Sequence, residues 1–194
     1  MNGKVDIISA MRESCDMSLS HIPAFVFFSF LTLVISIASV GILAGPMFGG
    51  LLNVYLKLQE EETPRAELLF MPFDRFWTLC IFGLIMVALI VIPSLLGVTI
   101  IGFVLFIIIG TYWFYVLPLV VTQDTTIIEA MCQSKQLVCT NNYWLHIILF
   151  TFLVVISVLG AKAYWLGLLF TTPFVVGTIA ACYATLKTDL EEVS

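Results

Sequence analysis

Apolar positions in this chain fall in long unbroken runs, with neither the alternation of a half-buried strand nor the narrow stripe of a soluble helix. Between Arg75 and Asp124 lie 48 residues without an Asp, Glu, Lys or Arg, and residues 17–56, 136–161 and 163–186 are also free of charge. About 20 apolar helical residues cross a hydrocarbon core of ~30 Å, so the longest run holds two crossings and the turn between them. Lipid offers backbone groups no water to bond, which makes helices the element such runs form. The pattern predicts an all-α, polytopic transmembrane helical bundle of six spans in three hairpins: 22–44 with 46–58, 76–96 with 98–121, and 143–160 with 164–186. Gly45-Pro46, Pro93-Ser94 with Gly97, and residues 160–162 supply the turns. Residues 46–58 reach only about 20 Å as a helix. That segment either spans a locally thinned bilayer or forms a re-entrant hairpin.

Composition points the same way. Hydrophobic residues make up 61% of the chain and charged ones 11%, against about 25% charged in soluble domains. The expectation is a single integral membrane domain over 1–194, with no cleavable signal peptide, because Asp6, Arg12, Glu13 and Asp16 stand where a basic and then an apolar stretch would be. Eight scattered basic residues and a net charge of −5 argue against nucleic acid, which needs clustered Lys and Arg. Lys4, Arg12, Lys57, Arg65, Arg75, Lys135 and Lys187 fall on one side of the six-span plan and Lys162 alone on the other. The positive-inside rule then places both termini in the cytoplasm.

Two cytoplasmic segments, 5–14 and 125–134, share the pattern Ile-Ile-x-Ala-Met-x-x-Ser. Helical periodicity puts Ile7, Ile8, Met11 and Cys15 on one stripe, and Ile127, Ile128, Met131 and Val138 on the other. Each reads as an amphipathic helix on the membrane surface, with Ile8, Met11, Ile128 and Met131 towards lipid or bundle and Arg12, Glu13 and Gln133 towards water. Internal duplication and a shared physical demand both account for the match.

Candidate chemistry is sparse. An intramembrane hydrolase needs paired Asp, Ser with His, or two His around a Glu, and the apolar runs contain none of these. His21 and His146 open spans and read as interfacial residues bonded to backbone or headgroup. Cys80 and Cys182 fall within spans, and Cys15, Cys132 and Cys139 on the cytoplasmic side, with no His or Cys at metal-ligand spacing. No cofactor is expected. A coupled transporter usually buries a charge near the midplane, and no such charge is present here. Asn53 is the polar side chain least able to satisfy itself on its own helix, so it either bonds across to a neighbouring helix or contacts a solute. Gly41, Gly45 and Gly49 recur at four-residue spacing and mark either a helix interface or, with Pro46, a turn. Pro118 and Pro173 interrupt helices and free carbonyls for a neighbour or a solute. Trp77 and Trp144 mark one membrane boundary, and Tyr164 with Trp165 the other. The run Tyr112-Trp113-Phe114-Tyr115 lies deeper, as a packing layer or the wall of a groove.

Residues 115–121 (Tyr-Val-Leu-Pro-Leu-Val-Val), then Asp124, Glu129-Ala130, Ser134, Leu137, Asn142 and Trp144, form a longer pattern. Gly45-Pro46 with Gly50 and Tyr55, the stretch 73–76, and Pro173 with Gly177, Ala181, Tyr183 and Leu186 extend it. In these features the chain resembles a widespread group of prokaryotic integral-membrane proteins, the YciC-like family, and is similar to the membrane domain fused to some glycerophosphodiester phosphodiesterases. It departs from that group at Cys132 and Gln133, where Lys or Arg is usual. The resemblance implies a membrane bundle and brings no catalytic activity, since the phosphodiesterase chemistry sits in a separate domain. The expected role is that of a non-enzymatic accessory or scaffold in envelope or lipid homeostasis. Its partners would be membrane lipids, further copies of the chain or other membrane proteins. The alternative is a small transporter or channel for an apolar or zwitterionic solute.

Overall fold

Among the described residues four stretches are long and apolar enough to cross a membrane: Phe76–Pro93, Ile100–Thr122, Tyr143–Lys162 and Gly167–Lys187. The chain is a multi-pass membrane protein. The computed structural model describes residues 12, 16, 20–39, 41–60, 63, 65–95, 97, 99–123, 125–162 and 164–193, and the regular elements among them are all helical. In chain order they are α1 (Ile22–Ala38), α2 (Ala44–Gln59), α3 (Ala66–Phe70) with a 3-10 turn (Met71–Arg75), and α4 (Phe76–Leu95). There follow α5 (Thr99–Tyr112), α6 (Val116–Thr122), α7 (Ile127–Thr140), α8 (Tyr143–Lys162) and α9 (Tyr164–Val193).

The breakers act where their chemistry allows. Pro46 lies in the first turn of α2 and does not end a helix, because N–H groups of a first turn have no intrahelical partner to lose. The chain instead reverses over residues 39–43. Gly41 adopts φ +84°, and the Ser39 hydroxyl donates to Ser36 O and accepts from Leu43 N. Pro93 likewise sits inside α4, and the next turn falls at Gly97, at φ +71°. The stretch expected as one span over 98–121 is two helices, α5 and α6, separated at residues 113–115.

α2 is the hub, packing against α1, α3, α4, α6 and α9, while α5 joins α4 to α8 and α8 joins α9. Two apolar clusters form around it. One holds Phe25, Phe28, Met47, Leu51, Leu52, Tyr55, Leu69, Val176 and Ala180, and the other Leu79, Phe82, Phe114, Tyr115, Leu119, Val138, Leu149 and Tyr183. Among the described side chains of α4 the buried ones lie in its first seven positions, and those beyond Phe82 are exposed or half-exposed. Trp77 and Trp144, 76% and 73% exposed at the starts of α4 and α8, stand where amphipathic rings meet headgroups.

α7 opens with a capping box. The Thr126 hydroxyl accepts from Glu129 N, and the Glu129 carboxylate accepts from Thr126 N. These bonds to the ionised carboxylate hold its pKa below the ordinary value. The helix buries Ala130, Ser134 and Val138, with Ile127 and Met131 packed beside them. Ile128 points outward at 70% exposure, and Gln133, expected to face water, is half-buried. Apart from exposed Arg12, the matching segment 5–14 lies outside the described residues.

Candidate functional site

The densest polar chemistry lies at the break between α5 and α6. Pro118, in the first turn of α6 and buried, has no N–H to bond back to the carbonyl of Phe114, and its ring crowds that carbonyl, so it cannot continue the preceding helix. The chain breaks upstream, leaving backbone groups unpaired at Tyr112 and Tyr115. Ser134, fully buried on α7, serves both: its hydroxyl donates to Tyr112 O at 2.8 Å and accepts from Tyr115 N at 3.0 Å.

The Tyr115 side chain continues the network. Its hydroxyl lies 2.8 Å from His146 Nε2, and His146 Nδ1 lies 3.1 Å from Asn142 O. A carbonyl only accepts, so the imidazole carries its hydrogen on Nδ1, and Nε2 accepts from the tyrosine O–H. Asn142, at φ +77°, adopts a left-handed conformation that asparagine tolerates. Its carbonyl also accepts from the backbone N–H groups of Leu145 and His146. Both Tyr115 and His146 are fully buried, with the Phe114 ring edge-on to each. His146 was expected at the interface but is a core residue. Tyr112 stacks on Tyr143 and carries the Lys135 ammonium 5.8 Å above its ring. The aromatic run therefore includes a packing layer centred on Phe114 and Tyr115.

Asn53 is buried and donates from Nδ2 to Leu68 O at 2.9 Å, tying α2 to α3. The three glycines divide. Gly41 forms the turn with open space around it, whereas a Cβ on Gly45 would lie 2.0 Å from Leu79 O, and one on Gly49 3.1 Å from the Leu79 side chain. Gly83 faces Gly45 across the same α2–α4 contact, and Gly50 lies against Leu69 O. Pro173 is buried within α9. The structure thus brings Gly45 and Gly49 together at α4, joins Asn53 to α3, and keeps Pro118 and Pro173 on separate helices.

Sequence reasoning placed Ser134, Gly50 and Arg75 only in sequence and charge patterns, and it passed over Gly83. Arg75 donates to Val120 O near the end of α6, where a cation suits the negative end of the helix dipole. For Ser134 the signal available was its position on the apolar stripe of α7, one turn beyond Ala130. Among the described residues no group of three or more His, Cys, Asp or Glu is placed to hold a metal ion. Cys80 and Cys182 are buried, while Cys132 and Cys139 are exposed. No family model, curated protein or solved structure matches this chain.

Proposed function

We propose that the chain is a non-enzymatic scaffold or accessory of the bacterial inner membrane, acting in envelope or lipid homeostasis among lipids and other membrane proteins, with both termini cytoplasmic. The observation that carries this reading is the use made of its most reactive-looking groups. Asn53, Tyr115, Ser134 and His146 each bond to backbone or to one another, and so hold helices in register. The family resemblance at residues 115–144 supports the same role.

Of the six apolar segments, four cross, and α1–α2 enters as a re-entrant pair. The support is the thiol of Cys80, the fifth residue of α4, which donates to Ile42 O in the α1–α2 turn at 3.3 Å. The turn therefore lies beside the start of α4, about 20 Å short of its far end at 1.5 Å per residue. Reporter fusions after Ser194 and within residues 39–43 test the topology. An active periplasmic reporter at either place overturns it. Asn53→Leu separates scaffold from carrier: loss of thermal stability in detergent is expected, whereas an unchanged melting temperature with abolished solute uptake would establish the transporter instead.

A further inference from the structure

Lys135 stands on a part of the chain that carries no carboxylate. Residues 130–188 contain no Asp or Glu, and α5, α6 and α8, the helices packed against α7, bring no acidic side chain of their own. On α7 itself Glu129 lies about 9 Å back along the axis, and its carboxylate is engaged by Thr126 N. Lys57 is paired with Glu60 at 2.8 Å, whereas Lys135 has no ion-pair partner among the described residues. Its exposed ammonium rests 5.8 Å from the centroid of the Tyr112 ring. A ring face attracts a cation without neutralising it, so the N–H donors remain for an anion from outside the chain.

Tyr112 also ends an apolar stripe. Ile101, Leu105 and Ile108 precede it on α5 at spacings of four, three and four, which puts all four residues on one face. The three aliphatic side chains are exposed. From Ile101 to Tyr112 the stripe runs about 16 Å at 1.5 Å per residue, close to half of a hydrocarbon core ~30 Å thick and so to the reach of one acyl chain. Tyr143 stacks on the Tyr112 ring with centroids 4.9 Å apart. Beside it Trp144 is exposed at the start of α8, as a residue at headgroup level is.

We propose that Lys135 and Tyr112 hold one anionic phospholipid, with its phosphate at the ammonium and an acyl chain along Ile108, Leu105 and Ile101. A lysine ammonium is a compact point charge suited to phosphate. The apolar stripe that begins beside it selects a lipid over a soluble phosphate, which has nothing to lay there. The missing carboxylate selects a headgroup of net negative charge, since a choline group would bring a second cation to a place that already lacks an anion. The site goes beyond the scaffold reading and stands for scaffold and carrier alike, because either can hold a lipid.

Full-length protein, delipidated in a neutral detergent and titrated with phosphatidylglycerol or with phosphatidylcholine of the same acyl chains, tests it by native mass spectrometry. The first phosphatidylglycerol should bind about fivefold more tightly than the first phosphatidylcholine. Lys135→Gln should abolish that preference and Lys135→Arg should keep it. Lys135 is exposed, so both lipid-free variants should melt with the parent. Lys162→Gln, at the far end of α8, should leave the preference unchanged. Equal binding of the two lipids by the parent overturns the proposal, as does an undiminished preference in Lys135→Gln. An equal loss in Lys162→Gln, which would mark a general effect of charge, also overturns it. So does displacement of the bound lipid by soluble glycerol 1-phosphate, which assigns the ammonium to a soluble anion.

Discussion

The end of the bundle around α2, α6 and α7 is less apolar in sequence than the far halves of α4 and α5, and the two are built differently. At the first end Leu51, Leu79, Leu119 and Val138 are enclosed by protein, and polar bonds from Asn53, Ser134 and His146 cross between elements. In the far halves Leu84, Val87, Ile90, Leu95, Ile100 and Phe103 are exposed. Close contact there rests on Gly102 against the Pro93 ring, as it does on Gly160 against Thr171 between α8 and α9. In lipid an apolar side chain gains little by moving from tails to protein, so small residues and hydrogen bonds decide where helices meet. Hydrophobicity alone therefore does not separate core from surface here, but backbone proximity does.

The sharpest way to break the comparison is to make one substitution at each end. Gly45→Leu drives its Cβ into the Leu79 carbonyl, a backbone atom with no rotamer to yield, and should cost about 3 kcal/mol or more. Ile100→Ala, at a position 83% exposed, should stay within about 0.5 kcal/mol. Unfolding in mixed micelles measures both, and comparable losses would show the far helices to be packed like the hub.

Next in size is the aromatic network. Tyr115→Phe and His146→Leu should each cost about 1–3 kcal/mol, since each strands a buried partner. The double variant should lose less than the sum, because both changes remove one shared bond. Additive losses would mean that Tyr115 and His146 act independently.

Asn53→Leu should cost on the order of 1 kcal/mol in the same assay, with faster amide exchange in residues 66–70 as α3 loosens. The smallest effect concerns pH. Glu129 has a depressed pKa, so its capping contribution is present above the ordinary carboxylate value of 4.5 and is lost as pH falls below it. Exchange at the first turn of α7 should quicken on acidification in the parent protein but not in Glu129→Gln, and identical profiles would remove the carboxylate from the cap.

Much of the fold was legible because bilayer thickness imposes a length on every crossing, and the charge-free runs around 76–121, 143–161 and 163–186 carry that length openly. The break at residues 113–115 was less so. Pro118 announced an interruption, but its location depended on Ser134, a residue from a different helix. Gly45 and Gly49 were legible as close contacts, whereas their partners Gly83 and Leu79 were not, because facing residues across an interface share no sequence spacing. His146 looked interfacial from its place near the start of a span. The Phe114 and Tyr115 rings at the α5–α6 break lie against it and enclose it.

The absence of formal charge from residues 76–123 has an electrical consequence. Carrying one elementary charge across the membrane changes the free energy by about 2.3 kcal/mol per 100 mV, but α4 and α5 carry none to move. Voltage therefore does no work on a tilt or slide of these two helices. Bilayer thickness does, at fractions of a kcal/mol for each ångström of mismatch, so these exposed helices respond to the composition of the surrounding lipid and not to the energised state of the cell.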